Sequence, residues 1–459
     1  MFFKRQPVHF VGIGGIGMSG LAEVLLEMGY PVTGSDLKRS AITDGLVAHG
    51  AVFYESHTAA NLGEAKAVVV TTAVRADNPE LVEARRRGLP IVHRSELLAE
   101  LMRQKFGIAI AGSHGKTTTT SMVAGILNHA QLDPTVVVGG RVGSMGGANA
   151  RLGRSEYMVV ESDESDGSFL KLAPILVVVT NIDREHLDHY SGIEEIRKTF
   201  AEFIGKVPFY GAAVVCLDDE NIRQMLPSLG RRVITYGSSV EADVRVTHSS
   251  VGHMASEFHL LARDRDLGCF RLPVPGAHNV LNAAAAVAIG LELEIPLEII
   301  REGLANFSGV ERRFQIKGTA NGITVVDDYG HHPTEIRATL SSARGCNFPR
   351  VHVLFQPHRY TRTQALMDDF ARAFDQADTV HVTDIYAASE QPIDGVTAQA
   401  LAQKMTAHGH RGACYAGSLE QGIGSVLAAA NAGDVIITLG AGNVSQAANQ
   451  ILARLKGDR

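Results

Sequence analysis

Short runs of apolar, mostly β-branched residues recur along the chain, and helical stretches separate them. The runs are almost continuously apolar and do not alternate with polar positions, which is typical of parallel strands buried on both faces of a sheet. We therefore predict an α/β protein. The predicted strands are Val8–Val11, Val68–Thr71, Ile108–Ala111, Thr135–Val138, Met158–Glu161, Leu176–Thr180, Ala213–Leu217, Ile323–Val326, Val351–Phe355, Thr379–Thr383 and Val435–Leu439.

Three of these strands end in glycine-rich turns, at residues 12–17 (GIGGIG), 111–117 (AGSHGKT) and 438–443 (TLGAGN). Doubly wound sheets bind ligands outside the carboxyl ends of their strands, so each turn is a candidate binding loop. One such turn per domain agrees with a length of 459 residues, which corresponds to about three domains. The predicted domains are 1–105, 106–310 and 311–459.

Composition narrows the class of protein. The chain has 43 Lys and Arg against 49 Asp and Glu, a net charge of −6, so no general basic field would attract nucleic acid or an anionic membrane. The apolar stretch Ala283–Leu291 is too short to span a bilayer. Cys216, Cys269, Cys346 and Cys414 form no CxxC pair. We expect a cytoplasmic protein without disulfides, and the sequence does not indicate its oligomeric state.

The first glycine-rich turn fits the pattern G-x-G-x-x-G through Gly12, Gly14 and Gly17, and Asp36 closes the next strand. Alone, this spacing indicates a nicotinamide dinucleotide site and hence an oxidoreductase. Physically, the loop offers only backbone N–H groups and a helix N-terminus to an anion, so another nucleotide diphosphate would fit as well. A tight turn without a ligand is a further alternative.

The second turn carries a lysine and a hydroxyl at the start of a helix. Lys116 would give its charge to the β- and γ-phosphates of a nucleotide, and Thr117 would offer its hydroxyl to Mg²⁺. The loop is a shortened variant, because Gly112 comes only three residues before Gly115, whereas G-x-x-x-x-G-K would require glycine at Ile110. The pattern predicts a nucleoside triphosphate site.

Acidic residues and a histidine follow two neighbouring strands. Glu161 begins the segment ESDESD at a strand end, where a Mg²⁺ ligand would lie beside the phosphate loop. A solvated acidic loop is the alternative interpretation for Glu161, and more so for Asp163, Glu164 and Asp166. His186, after the next strand, could bind a second metal, orient a phosphate or simply pack.

Three further clusters are dense in polar groups. Asn279 and Asn282 share one helix face and could contact a nucleotide, with helix capping as the alternative for Asn279. Arg359 and Arg362, with His358, form the last cluster, and their guanidinium groups are suited to binding a carboxylate or phosphate. Without a G-x-S-x-G elbow or a cysteine motif, the pattern favours phosphoryl transfer over covalent catalysis. The second cluster contains Asp327, Asp328, Tyr329, His331 and His332. The third contains His358, Arg359 and Arg362.

Taken in order, these motifs resemble the Mur ligases over essentially the whole chain. The resemblance rests on GIGGIGMSG, SHGKTTTT, ESDESDGSF, TNIDREHLDHY, GAHNVLNA, ERRF, DDYGHHPTEI and FQPHRYTRT. It implies a Rossmann-like N-terminal domain, a P-loop ATPase-like central domain and a Rossmann-like C-terminal domain. It also implies an ATP-dependent, amide-bond-forming ligase of peptidoglycan precursor synthesis that uses ATP and two Mg²⁺ ions.

Within the family, the motifs are most similar to those of the alanine-adding branch. This implies that L-alanine is joined to the lactyl carboxylate of UDP-N-acetylmuramate through an acyl phosphate, and that the first loop holds the UDP-sugar with Asp36 near the nucleoside. The tripeptide-adding recycling branch is the closest alternative. Ser113 stands where the family usually has threonine. Lys198 is out of register from His186, so carbamylation is not predicted.

Residue roles are carried over from the family by motif position. The implied catalytic residues are Lys116, Glu161, His186, His358, Arg359 and Arg362. The implied ATP-site residues are Gly112, Ser113, His114, Gly115, Lys116, Thr117, Thr118, Asn279, Asn282, Arg313 and Asp328. Substrate would contact Gly14, Gly15, Ile16, Gly17, Asp36 and Tyr329, and the metal ligands would be Thr117, Glu161 and His186.

Overall fold

The structure, a computed structural model, describes residues 5–139, 149–186, 189–252 and 254–457. Leu187 and Asp188 of the TNIDREHLDHY segment therefore lie outside the described residues. The strands are β1 Val8–Val11, β2 Val32–Ser35, β3 Val52–Tyr54, β4 Ala67–Val70, β5 Ile91–His93, β6 Phe106–Ala111, β7 Thr135–Val137, β8 Ala150–Arg151, β9 Tyr157–Glu161, β10 Leu176–Val179, β11 Ala212–Cys216, β12 Val233–Gly237, β13 Val244–Gly252, β14 Ala255–Ala262, β15 Arg265–Leu272, β16 Gln315–Ala320, β17 Ile323–Asp328, β18 Val351–Phe355, β19 Thr379–Thr383, β20 Ala413–Gly417 and β21 Val435–Leu439.

Helices alternate with the strands, as the sequence pattern predicts. The α-helices are α1 Ile16–Glu27, α2 Ala41–Ala48, α3 Pro79–Arg86, α4 Arg94–Met102, α5 Lys116–His129, α6 Ile193–Gly205, α7 Glu220–Met225, α8 Ala277–Glu292, α9 Leu297–Ala305, α10 Pro333–Gly345, α11 Tyr360–Ala365, α12 Met367–Ala371, α13 Ala398–Ala407, α14 Leu419–Ala429 and α15 Ser445–Lys456. Short 3₁₀ helices occupy Ala59–Leu62, Ser168–Lys171 and Leu226–Ser228. Across the described ranges, no helix combines the length and apolarity that crossing a membrane would need.

The described strands form three sheets, which confirms the predicted α/β class. The first has the order β3-β2-β1-β4-β5 with parallel neighbours, the order of a Rossmann-like sheet. The second has the order β15-β14-β13-β12-β11-β10-β6-β9-β7-β8. The third has the order β16-β17-β21-β18-β19-β20, parallel except for β16 against β17.

Burial on both faces of the third sheet explains its continuously apolar strands. Val326 and Ile437 belong to one buried cluster, whereas their chain neighbours Val325 and Ile436 belong to another. Successive side chains of a strand point to opposite faces, so both faces carry a core. The same pattern led to the strand predictions, and every predicted strand is present to within two residues at each end.

Strands without a continuous apolar run escaped prediction. In β13–β15 buried positions alternate with exposed ones, as expected for strands with one solvated face.

The chain packs into two compact units. The first unit contains the residues up to Thr247, Leu260–Gly268 and Leu281–Ser308. The second contains His248–His259, Cys269–Val280 and the residues from Gly309 onward. The domain boundaries near 105 and 310 stay predictions.

Candidate active site

The first glycine-rich loop leaves β1 and turns directly into α1. Gly12 has a φ of +80°, a conformation that favours glycine, and its N–H donates to the Ser35 carbonyl at 2.8 Å. Gly15 is the N-cap of α1 and brings no side-chain cap. Gly15 and Ile16 are exposed. The first N–H groups of the helix therefore remain available to an anion.

Asp36 braces this loop directly. Its Oδ2 accepts a hydrogen bond from the Gly14 N–H at 2.9 Å, and its Oδ1 accepts one from the Leu37 N–H at 2.7 Å. A Cβ at Gly14 would lie 2.9 Å from the same carboxylate oxygen, which explains the glycine. The sequence predicted Asp36 near the nucleoside, but did not predict that its carboxylate would hold the loop backbone.

An arginine connects the first loop with the acidic segment after β9. A Cβ at Gly17 would lie 3.4 Å from the guanidinium of Arg94, which donates to Asp163 Oδ2 at 2.5 Å. Lys171 and Glu96 make a further ion pair at 2.8 Å, between the 3₁₀ helix Ser168–Lys171 and α4. Sequence reasoning missed Arg94, because nothing in its local pattern indicates a partner 69 residues away.

The phosphate loop between β6 and α5 requires glycine at two positions. Gly112 has a φ of +128°, and a Cβ there would lie 2.1 Å from Thr180 Oγ1. Gly115, the N-cap of α5, has a φ of +80°, and a Cβ there would lie 2.6 Å from Asn282 Oδ1. The backbone therefore passes too close to its neighbours for any side chain.

The residues that follow β10 hold the phosphate loop in shape. The Thr180 hydroxyl donates to the His114 carbonyl at 2.6 Å, and the His114 N–H donates to Asn181 Oδ1 at 2.8 Å. The Asp183 N–H donates to the Ser113 hydroxyl at 2.8 Å, and His114 Nε2 lies 2.9 Å from Asp183 Oδ2. Ser113 and His114 thus fix the loop, and serine supplies the hydroxyl oxygen that this contact needs.

Lys116, the first residue of α5, has three short contacts. Its ammonium donates to the Gly112 carbonyl at 2.6 Å, to the Ser113 carbonyl at 3.1 Å and to Glu164 Oε1 at 2.6 Å. Burial by itself lowers the pKa of Lys116, but the carboxylates of Glu164, Glu161 and Glu185 together outweigh burial, and the net pKa is raised. Lys116 therefore carries its positive charge at neutral pH.

The alternative interpretation of Glu164 as a solvated loop residue is wrong. Its residue exposure is 2%, its Oε1 lies 3.5 Å from His186 Nε2, and its carbonyl accepts from the Tyr190 hydroxyl at 2.5 Å. Its Oε2 is buried and has no hydrogen-bond partner in the described part of the chain. The chain turns back after β9, so an acidic residue that looks solvated by composition faces Lys116 instead.

The predicted metal ligands form two groups. In the first, the Thr117 hydroxyl donates to Glu161 Oε1 at 3.1 Å, and Glu161 Oε2 accepts from the Gly139 N–H at 2.7 Å. In the second, the predicted ligand His186 lies with Glu164 and Glu185, which were not predicted as ligands, and one ligand atom of each lies within 4.8 Å of the others.

The electrostatics of the second group favour a cation. Burial lowers the pKa of His186, but hydrogen bonding to Glu164 and the charges of Glu164 and Glu185 raise it more, so the net pKa is raised. Two carboxylates with one imidazole present a net negative environment, which a proton or a metal ion neutralises. Thr118, predicted beside the phosphates, is buried in the first turn of α5.

The two asparagines of α8 have different surroundings. Asn279, the third residue of α8, donates its Nδ2 to the Pro275 carbonyl at 2.7 Å. Asn282 lies against Gly115 of the phosphate loop. Both side chains are buried. The structure thus brings Asn282 to the phosphate loop.

In the second unit, Asp328 organises the turn after β17. Its oxygens accept from the Phe314 N–H and the Gly330 N–H, each at 2.7 Å. Burial raises the pKa of Asp328 against the opposing effect of Arg313. The Arg313 guanidinium donates to Glu335 Oε1 at 3.1 Å and lies 5.3 Å from the centre of the Tyr329 ring.

The segment after β18 presents a histidine and two arginines. His358 stacks on Tyr386 with 5.6 Å between ring centres, and Arg362 Nη1 lies 3.5 Å from His358 Nδ1. Burial lowers the pKa of His358 to about 4, helped by the charges of His331, Arg362 and Arg359. His358 is thus neutral at pH 7. Arg359 is exposed and Arg362 is partly exposed, so both guanidinium groups can meet an anion.

The third glycine-rich turn is closed by the chain itself. Gly440 has a φ of +142°, and its carbonyl accepts from Arg312 at 2.5 Å. Arg312 also donates to Asp327 Oδ2 at 3.1 Å, and Gln356 Oε1 accepts from the Val444 N–H at 3.1 Å. The turn is held by side chains of its own sheet, and none of the predicted site residues belongs to it.

Family models match three consecutive segments of the chain. Residues 7–106 match the model described as the Mur ligase family catalytic domain, 110–290 the Mur ligase middle domain, and 312–442 the Mur ligase glutamate ligase domain. The matched segments together cover most of the chain and follow the same order as the three sheets.

Individual relatives extend over the full length. A protein from Solibacter usitatus named UDP-N-acetylmuramate–L-alanine ligase is 62% identical over 456 residues, covering 99% of this chain and 97% of the relative. One of the same name from Koribacter versatilis is 55% identical, covering 100% of this chain and 99% of the relative. A crystal structure of UDP-N-acetylmuramate-alanine ligase from Thermotoga maritima superposes with a TM-score of 0.84 at 30% identity, covering 99% of this chain and 100% of that one. The chain therefore belongs to the Mur ligase family.

Proposed function

We propose that this protein joins L-alanine to the lactyl carboxylate of UDP-N-acetylmuramate, with conversion of ATP to ADP and phosphate, in peptidoglycan precursor synthesis. The observation that carries the proposal is the match over 99% of the chain, at 62% identity, to a relative named for this reaction. An oxidoreductase would leave Lys116 and the Thr117–Glu161 contact without a role. The first loop is then a diphosphate loop, and Asp36 supports it.

The ATP phosphates would bind at the phosphate loop of β6 and α5. Mur ligases are ATP-dependent ligases, and this loop supplies the N-terminus of α5 together with Lys116. Lys116 would exchange its contact with Glu164 for a phosphate oxygen while its carbonyl contacts keep it aimed across the loop. Asn279, Asn282, Arg313 and Asp328 stay proposed contacts to the rest of the nucleotide, as the family motifs imply.

The residues present fit magnesium at two positions. Thr117 and Glu161 offer hard oxygen ligands at the phosphate loop, and the buried, unpartnered Oε2 of Glu164 suits a cation beside His186. Ions bound there would neutralise charge on the phosphates. We therefore propose two Mg²⁺ sites, one at Thr117 and Glu161 and one at His186.

The UDP-sugar would bind at the first glycine-rich loop. Gly14, Gly15, Ile16 and Gly17 surround the N-terminus of α1, where two phosphates can accept from backbone N–H groups. Asp36 holds Gly14 in the conformation that presents those groups.

The chemical step needs negative charge to be neutralised while two reactants are held in line. The lactyl carboxylate would take the γ-phosphoryl group of ATP, and the amine of L-alanine would then displace phosphate from the acyl phosphate. Lys116 serves the transferring phosphoryl group. Arg359 and Arg362 are suited to the acyl phosphate, while neutral His358 and Tyr329 would contact the amino acid.

The test is phosphate release from ATP with UDP-N-acetylmuramate and one amino acid at a time. We expect release only when both co-substrates are present, with L-alanine preferred over glycine and L-serine. Release that is independent of both would refute ligation. A preference for the tripeptide over L-alanine would assign the chain to the recycling branch. A thermal shift with NAD(P)H but not with UDP-N-acetylmuramate would favour the oxidoreductase.

A further inference from the structure

A buried carboxylate lies next to the first glycine-rich loop, and none of the roles above uses it. Glu80, the second residue of α3, has a fully buried side chain. Its Oε2 accepts from the Ser35 hydroxyl at 2.7 Å and lies 2.9 Å from His57 Nδ1. Its Oε1 accepts from the Asn61 amide at 2.7 Å and lies 3.4 Å from His9 Nε2. Four side chains from four segments thus converge on one carboxylate.

The cluster holds Glu80 in its charged form. Burial by itself raises the pKa of Glu80, but the nearby His9 ring together with hydrogen bonds from Ser35, Asn61 and His57 outweighs burial and lowers the pKa to about 2. A buried charge is tolerated only while its hydrogen bonds persist, so a shift of any partner leaves a charged oxygen unsatisfied. The cluster therefore resists rearrangement more strongly than apolar packing would.

Ser35 transmits this rigidity to the loop. Its hydroxyl donates to Glu80, while its carbonyl accepts from the Gly12 N–H at 2.8 Å. The next residue, Asp36, accepts from the Gly14 N–H at 2.9 Å. Because Ser35 is the last residue of β2, any displacement of its hydroxyl moves the two acceptors that set the loop backbone.

We propose that Glu80 is a positioning residue for the sugar nucleotide, which it serves by fixing Ser35 and thereby the N–H groups of the first glycine-rich loop. This inference rests on the proposed function, because it assumes that the loop binds the UDP-sugar. Glu80 itself is covered and does not touch the ligand. Its effect is confined to the sugar nucleotide, since the phosphate loop follows a strand of a different sheet.

The direct test is Glu80→Gln, which keeps the size of the side chain but turns an N–H₂ group toward donors. We expect the Kd for UDP-N-acetylmuramate, measured by calorimetry, to rise about tenfold, equivalent to about 1.4 kcal/mol. The KM for UDP-N-acetylmuramate should rise in parallel. The KM for ATP and the kcat at saturating substrates should stay within about threefold of wild type, because the phosphate loop is untouched.

Glu83→Gln is the matched control. Glu83 lies on the same helix but pairs with Arg86 and Arg87 at the surface, with no contact to Ser35. Its substitution should leave both affinities unchanged. Ser35→Ala is the second variant: it cuts the link to the loop while Glu80 keeps its other partners, and it should raise the same Kd about threefold.

The outcomes separate the two hypotheses. A folded Glu80→Gln variant with wild-type affinity for UDP-N-acetylmuramate overturns the positioning role alone. Equal losses of ATP and UDP-sugar affinity also overturn it, because they indicate a general structural defect. If Glu80→Gln does not fold, the same comparison of the two affinities in Ser35→Ala decides. Wild-type protein that binds no UDP-N-acetylmuramate refutes the proposed function, and this inference with it.

Discussion

Substitution of Gly112 by alanine tests the geometry of the phosphate loop. The new Cβ would lie 2.1 Å from Thr180 Oγ1 and 2.9 Å from the Thr180 backbone nitrogen, at a φ of +128°. The hydroxyl could rotate away, but the backbone nitrogen could not. Thr180 Oγ1 also donates to the His114 carbonyl, so its displacement would break a contact that shapes the loop.

Three costs add at this position. A non-glycine residue at such a φ costs about 1–3 kcal/mol, and forcing an extra methyl into a packed site costs about 1–3 kcal/mol. The lost hydrogen bond from Thr180 costs about 1 kcal/mol. The loop can relieve part of this total cost by leaving the conformation that binds ATP. We therefore take about 3 kcal/mol as the cost of restoring that conformation, which corresponds to a roughly 150-fold weaker affinity for ATP.

The assay is calorimetric binding of a non-hydrolysable ATP analogue, with thermal unfolding in parallel. Gly125→Ala is the control on α5, because a Cβ there meets no atom within 4 Å. It should keep ATP affinity and stabilise the helix by roughly 0.5–1 kcal/mol. Adding Thr180→Ala to Gly112→Ala should recover only part of the affinity, since the backbone clash and the φ strain remain.

Affinity for the ATP analogue within twofold of wild type in Gly112→Ala would refute the reasoning. Full recovery by Thr180→Ala would also contradict it, because it would show that the side-chain clash alone matters.

Three further predictions follow from the same contacts. Lys116→Ala should abolish turnover while the Kd for UDP-N-acetylmuramate stays within about threefold by calorimetry, because the lysine belongs to the phosphate loop; lost sugar-nucleotide binding would contradict that assignment. A double-mutant cycle of Arg94→Met and Asp163→Asn should give a coupling energy of about 0.5 kcal/mol in chemical unfolding, since both side chains are partly exposed; a value near zero would deny the link. Asp328→Asn should lower stability by about 1–3 kcal/mol, because one amide oxygen cannot serve both backbone donors, and an unchanged thermal midpoint would argue against it.

The candidate site shows where local pattern suffices. Glu161 ends a strand and Asp36 directly follows one, and parallel neighbours bring their carboxyl ends to one edge, so both were predicted beside a glycine-rich loop. Lys116 was found from its turn, because strand, glycines and helix start are all local features. The roles of Asn279 and His186 stayed open, because a lone polar side chain is equally suited to capping, packing or binding.

The sequence by itself determined the continuously apolar strands, the glycine-rich turns and their order, because apolar runs and backbone freedom act over a few residues. Only the tertiary structure decided which acidic group is buried against Lys116, that Arg94 reaches Asp163, and that Glu80 gathers its partners. The physical reason is separation along the chain: Glu80 and Ser35 are 45 residues apart, and Lys116 and Glu164 are 48 apart. Contacts between residues so far apart along the sequence follow from the packing of whole helices and strands, which no local pattern of residue types specifies.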